Sequence, residues 1–139
     1  MTETTFESPT TLEAYAASVT RVKKPWGFEL IYALTDAYCG KLLFVRSGHA
    51  LSLQYHGQKD ETIYLNDGLA EIEIGRPGEP LGREAMWPGQ SFRIEPGIVH
   101  RLHAIKDSIF LEASTPHIDD VVRLEDSYGR AGDTDSLRT

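Results

Sequence analysis

Gly48-His49-Ala50-Leu51-Ser52-Leu53-Gln54-Tyr55-His56-Gly57-Gln58-Lys59-Asp60-Glu61-Thr62-Ile63-Tyr64-Leu65-Asn66-Asp67-Gly68 is the stretch on which the reading of this 139-residue chain turns. On a strand, with a period of two, Ser52, Gln54 and His56 share one face while Leu51, Leu53 and Tyr55 take the other. Gly57-Gln58-Lys59-Asp60 makes a short polar turn that brings in Glu61. Ile63 and Leu65 continue Glu61's face until Asn66-Asp67-Gly68 closes a second turn. The expected hairpin gathers a carboxamide, an imidazole and a carboxylate on one face, against a mostly apolar wall. Three such donors suit a divalent cation. Taken alone, however, a Gln and a His on a strand and a Glu after a turn are equally the mark of an ordinary solvent face.

A second stretch changes the balance. Pro88-Gly89-Gln90-Ser91-Phe92-Arg93-Ile94-Glu95-Pro96-Gly97-Ile98-Val99-His100 offers one more His just after a Pro-Gly turn. Two hairpins, one carrying Gln54, His56 and Glu61 and the other His100, give a four-ligand set. Together the two stretches resemble the two cupin motifs. The first matches in spacing from Gly48 through Glu61 to Gly68, with Gln54 where the motif's leading His stands. The second matches with Glu95 at the motif's proline position and Pro96 one place later, a change of turn geometry that removes no ligand. Gln in that first position is what phosphomannose isomerases carry, within a string like Leu51-Ser52-Leu53-Gln54-x-His56.

Length and composition suit a single domain large enough to bury a core. The formal net charge of −7 leaves no basic field for phosphates and argues against nucleic-acid binding. An anionic substrate would therefore need a locally basic pocket. The one cysteine, Cys39, excludes an internal disulfide and fits a reducing compartment, and no apolar run approaches membrane-spanning length. With no basic-then-apolar leader, a soluble cytoplasmic protein is expected.

Residues 1–20 read as an N-terminal arm, with Thr10 or Thr11 capping a short helix through Leu12-Glu13-Ala14-Tyr15-Ala16-Ala17. Arg21-Val22-Lys23-Lys24 reads as a solvated charge run before an edge strand. The Pro25-Trp26-Gly27 that follows is similar to the segment before the first strand of bacterial phosphomannose isomerase domains. Strands are expected over 28–33, 40–46, 51–56, 62–65, 68–75, 91–94, 99–105 and 108–113. Their number and spacing predict an all-β fold, a small antiparallel jelly-roll barrel with a short N-terminal arm or helix, and the cupin resemblance implies the same. The domain is placed at 21–130 and a flexible tail at 131–139.

By composition the segment Asp119 to Arg130 is a solvated, charged end. Its Val122-Arg123-Leu124-Glu125-Asp126-Ser127-Tyr128-Gly129-Arg130 nevertheless resembles the closing string of the type II phosphomannose isomerase domain, a more specific match than either motif. The resemblance then runs from Arg21 to Arg130. It implies a mannose-6-phosphate isomerase: one divalent ion, zinc in the family, with Mn, Fe or Ni also suited to a mixed N/O donor set. It also implies a small sugar-phosphate substrate and a homodimer, with no nucleic-acid or membrane partner.

Aldose–ketose isomerisation moves a proton between adjacent carbons, and a metal on both oxygens stabilises the enediolate. Lys59, two residues before Glu61, and Arg101, directly after His100, are the candidate catalytic cations, the first also a Lys in type I isomerases. Arg101 faces away from the metal on an ideal strand, so its role requires a twist or bulge. Lys41, Arg123 and Arg130 are candidates for the phosphate, and the tail is expected to fold back near the barrel mouth. His49, His103 and His117 read as surface or packing residues. Two other readings stand beside the isomerase. His56, Glu61 and His100 could hold Fe(II) in a cupin oxygenase, or the chain could be a non-catalytic sugar-binding or small-ligand-binding cupin.

Overall fold

The structure, a computed structural model, describes residues 2–5 and 10–132, with side chains from residue 12. In chain order, β1 (Thr2–Thr5) and the single turn α1 (Thr10–Glu13) lead into β2 (Ser18–Lys24), β3 (Gly27–Leu34) and β4 (Cys39–Val45). Then follow β5 (Leu53–Tyr55), β6 (Glu61–Asp67), β7 (Ala70–Gly75), β8 (Gly82–Met86) and β9 (Ser91–Ile94). The last three strands are β10 (Val99–Ala104), β11 (Ser108–Ser114) and β12 (Val122–Glu125). They form two antiparallel sheets, ordered β1-β2-β3-β4-β11-β6-β9 and β12-β5-β10-β7-β8. The first twenty residues hold a strand, one helical turn and the start of β2 rather than a helix through Ala17.

The expected all-β jelly roll is found, but the two expected hairpins are not hairpins. β5 pairs with β10 and β12, whereas β6 pairs with β11 and β9, so the Gly57–Asp60 turn crosses from one sheet to the other. Likewise β9 and β10 lie in different sheets across the Pro96-Gly97 turn. Period-two reading gives the face of each residue within a strand but not the neighbour that strand takes. The consequence is favourable to a site. Ligands on β5 and β10 look across the interior at a ligand on β6, instead of lying in one plane beside it.

Strand β2 comes from a stretch that composition marks as charged. Its residues alternate all the same: Arg21 and Lys23 are exposed, while Val22 and Lys24 are buried. The tail also differs from a solvated end, since β12 adds a strand beside β5 and Gly132 N–H donates to the Arg123 carbonyl. Between the sheets Trp26, Leu43, Val45, Ile63, Leu65, Ile72, Met86, Leu102 and Phe110 form the main core. Each such side chain contributes roughly 1.5–3 kcal/mol by leaving water. Gly27 allows β3 to press against β4, for a Cβ there would lie 2.0 Å from the Phe44 carbonyl oxygen.

Candidate metal centre

The barrel places His56, Glu61 and His100 together, all buried, with one donor atom from each within 4.8 Å of the other two. Glu61 Oε2 lies 2.6 Å from His56 Nε2 and 3.8 Å from His100 Nε2. These separations bracket the roughly 3–3.5 Å kept by two ligands bound at about 2.1 Å to one ion. His56 Nε2 and Glu61 Oε2 are close but out of hydrogen-bond alignment, and neither has another hydrogen-bond partner. Buried donors left in this way carry a desolvation cost that an ion would offset. Gln54 stands opposite His100 in the β5–β10 register. With Glu61 and His100 it lines an enclosed cavity whose volume of about 10 Å³ admits one water-sized or ion-sized sphere.

Outer contacts fix the ligands. His56 Nδ1 is 2.5 Å from the Asp120 carbonyl oxygen, and His100 Nδ1 is 3.0 Å from that of Ile98. A carbonyl only accepts, so each ring carries its proton on Nδ1 and turns the Nε2 lone pair inward, the state a metal ligand needs. Ser52 Oγ–H donates to Gln54 Oε1 at 2.6 Å, holding the amide and leaving that oxygen a second lone pair. The Asp120 carboxylate accepts from the backbone N–H groups of Gly57, Gln58 and Lys59, and so clamps the turn between β5 and β6. Burial opposes ionisation of this carboxyl, but those three donors hold it below the usual range. For Glu61, burial likewise favours the acid, and the Lys59 ammonium leads the neighbours that outweigh it and keep the carboxylate. Burial pushes His100 down, toward the neutral ring.

Around this set the interior is charged. Lys59 Nζ sits 2.9 Å from Glu112 Oε2 and 3.8 Å from Glu61 Oε2, all three side chains being nearly inaccessible. Burial would discharge the ammonium, yet Glu112 and Glu61 raise its pKa above the ordinary lysine value. Lys59 is therefore a fixed cation. Lys41 Nζ lies 3.6 Å from Glu29 Oε1, both fully buried, and burial drives the Glu29 carboxyl up against the pull of Lys41 and Lys24. Lys24 is pushed down to about 8 by burial; Glu29 opposes this, while Lys41, Arg123 and Arg130 add to it. Arg123, 2% exposed, stands opposite Gln54 in the β12–β5 register.

Of the nine residues proposed from sequence, the fold brings Gln54, His56, Glu61, His100 and Lys59 together and sets Lys41 and Arg123 in the same interior. Arg101 is not brought there. No bulge interrupts the β10–β7 register around it, so it takes the outer face, where it meets Glu73 at 3.2 Å and Glu125 at 3.4 Å. Arg130 is held by Asp126 at 2.9 and 3.1 Å, near the ring of Tyr128. His103 bonds Glu73 on the outer face, His49 bonds the Tyr128 hydroxyl, and His117 bonds Thr115.

Ser52, Glu29, Glu112 and Asp120 were not singled out by the sequence. Ser52 shares the face of Gln54 two residues away, a signal that was available. Glu112, between Leu111 and Ala113, is the one charged residue of β11, a second signal. Nothing local marks Asp120, whose partners are more than sixty residues distant.

No family model matches the chain. Structural likeness shows the fold, the jelly-roll barrel of the cupins. KdgF from Halomonas sp. superposes with a TM-score of 0.60 at 22% identity, over 68% of this chain and 83% of that one. The capsular polysaccharide assembling protein CapF from Staphylococcus aureus gives 0.71 at 15% identity, over 84% of this chain and 34% of CapF. In sequence the chain is 31% identical over 115 residues to the xanthan biosynthesis protein XanB of Xanthomonas campestris pv. campestris, covering 79% of this chain and 24% of XanB. The chain thus spans about a quarter of the length of the curated relatives it matches. Among the described residues no helix is long and apolar enough to cross a membrane.

Proposed function

We propose that the chain is a metal-dependent enzyme of sugar metabolism, an isomerase that interconverts mannose 6-phosphate and fructose 6-phosphate. The observation that carries this reading is the buried set of His56, Glu61 and His100, with Gln54 beside it and the cations Lys59 and Arg123 adjoining. Names of two similar proteins, one for xanthan biosynthesis and one for capsular polysaccharide assembly, support a sugar substrate. Gln54 and the closing string from Val122 to Arg130 support the phosphomannose isomerase assignment within that class.

Gln54, His56, Glu61 and His100 would hold one divalent ion, zinc by preference. When bound, it supplies Lewis-acid stabilisation to two adjacent sugar oxygens. The chain's own groups supply charge around it. Glu112 and Glu61 hold Lys59 charged and immobile beside the ligands, where its field favours negative charge on a bound oxygen. Arg123, one strand from Gln54, offers a guanidinium for an anionic substituent, with Lys41 and Lys24 adding positive field behind it. Arg101 has no part in this scheme. A hexose phosphate is larger than the cavity, so binding requires the barrel interior to open.

The test is exchange with solvent deuterium of the C2 proton of mannose 6-phosphate and of a C1 proton of fructose 6-phosphate, using protein reconstituted with Zn, Mn, Fe or Ni in turn. Exchange together with ketose formation is expected with at least one metal. If none appears with any metal, the isomerase reading is wrong. A second reading follows from the donor set, since two His and one carboxylate also suit Fe(II) oxygen chemistry. Oxygen uptake by the iron-loaded protein, without deuterium exchange, would select it, and tight sugar binding with neither reaction would select a binding module.

A further inference from the structure

An aldose–ketose isomerase needs a group that takes a proton from one carbon and returns it to the next. Lys59 is not that group, because an ammonium held in its charged form has no lone pair to offer. Four side chains that line the enclosed cavity at the centre can carry a proton: Glu29, Glu61, His100 and Glu112. Glu61 and His100 are ligands, and the ion takes their donor atoms. Glu112 faces the Lys59 ammonium at 2.9 Å and keeps it charged. Glu29 remains. Strand β3 turns it inward between Val22 of β2 and Leu43 of β4, its apolar cross-strand neighbours. The side chain is fully buried, and neither carboxyl oxygen has a hydrogen-bond partner. Lys41 Nζ, at 3.6 Å, is near enough for an ion pair and too far for a hydrogen bond. A carboxyl placed in this way costs stability, and such groups in a cavity are characteristic of sites of proton chemistry. Burial raises its affinity for a proton, with Lys41 and Lys24 opposing, which makes the carboxylate a stronger base than one in water.

We propose that Glu29 is the proton carrier of the reaction, taking the C2 proton of the open-chain aldose and delivering it to C1; the assignment rests on the isomerase reading. The C2–H bond breaks toward a Glu29 oxygen, its electron pair becomes the C1–C2 double bond, and the carbonyl pair moves onto O1. The proton on O2 then passes to the neighbouring O1. As the O2 pair forms the new carbonyl, the double-bond pair takes the proton back from Glu29 at C1. The carboxylate is restored, and no other reactant enters. One carboxyl can serve both carbons because they are bonded to each other. Lys59, fixed on the same cavity wall by Glu112, favours the negative charge that develops on oxygen.

Steady-state kinetics, metal content and melting temperature of two variants test this, each loaded with the metal that gives the wild type most turnover. Glu29→Gln keeps the shape and removes the base. Its kcat for mannose 6-phosphate is expected to fall roughly a thousandfold, with deuterium exchange at C2 falling alongside. Its KM stays within about threefold of wild type and its metal stays stoichiometric. Glu29→Asp keeps the charge that faces Lys41 and withdraws the oxygens by one methylene. Its kcat falls roughly tenfold to a hundredfold, with KM and metal content unchanged. A carboxylate that only balances Lys41 gives the reverse, an Asp variant as active as wild type and a Gln variant that loses melting temperature rather than kcat. Turnover by Glu29→Gln within about tenfold of wild type overturns the assignment and leaves the isomerase standing. If Glu29→Gln does not fold, Glu29→Asp decides alone, and a wild-type kcat in it overturns the assignment. A wild type without exchange or turnover with any metal removes the isomerase reading and this assignment together.

Discussion

In the five-stranded sheet, β7 and β10 bury Ala70, Ile72, Leu102 and Ala104 and turn Glu71, Glu73, Arg101 and His103 to the other side, where Arg83 joins them. In the seven-stranded sheet, β3, β4 and β11 do the reverse over part of their length. Glu29, Lys41 and Glu112 point into the barrel, and Phe28, Leu30, Leu42, Phe44, Ile109 and Leu111 point out. An outward pair such as Arg83–Glu71 stays hydrated and contributes little to stability, whereas Glu73, 7% exposed, is enclosed by Arg83, Arg101 and His103. An inward one loses hydration worth several kcal/mol per ion before its attraction is counted. The first sheet therefore follows the burial rule along β7 and the end of β10, while β5, β10 and β12 give Gln54, His100 and Arg123 to the interior. The second departs from it on both faces: inside it sets charged groups beside the candidate metal centre, and outside it carries apolar side chains.

The largest expected effect comes from the centre itself. His56→Ala or His100→Ala should leave a folded barrel whose metal content, measured by plasma mass spectrometry after dialysis, falls from stoichiometric to background. Full retention would move the ion elsewhere. Gln54→His should keep the metal and change its coordination spectrum.

Next is the buried pair Lys59–Glu112. Glu112→Leu leaves an ammonium with less compensation in a dry interior and should cost about 3–5 kcal/mol in urea unfolding. Lys59→Met combined with Glu112→Leu should recover most of that loss. On the other sheet, Arg101→Ala and His103→Ala should leave both melting temperature and turnover close to wild type. If Arg101→Ala abolished turnover in a folded protein, the outward placement would not describe the working state.

Support of the ligands should read out more gently. Ser52→Ala frees the Gln54 amide, and loss of an outer contact of this kind costs about 10–100-fold in metal affinity. The check is competition against a chelator, with circular dichroism to confirm the fold.

The smallest effect concerns Lys24. Its folded value of about 8 lies below the ordinary lysine value of 10.5, so between these the unfolded chain binds a proton that the folded chain does not. Stability should rise with pH across that window as the buried charge is relieved, and be lowest in this respect below it. Lys24→Met should flatten the rise. An identical pH profile in the variant would assign it to another group.

The donor atoms of the candidate centre were readable from one chain. Gln54 and His56 lie two apart on one strand, Glu61 follows a turn, and His100 follows Pro96-Gly97; period two and turn chemistry are local and leave their mark in the sequence. Most of the strands were readable for the same reason. Tertiary structure alone decided that β5 and β6 belong to opposite sheets, because strand pairing depends on what the rest of the chain offers at each edge. It decided that Arg101 stays outside, that Arg123 comes to rest beside Gln54, and that Asp120 clamps the turn before Glu61. It also decided that the charges of Lys24, Glu29, Lys41 and Glu112 are interior. A charged residue on an alternating strand reads as the wet face, and only partners supplied from distant strands make the dry face tolerable.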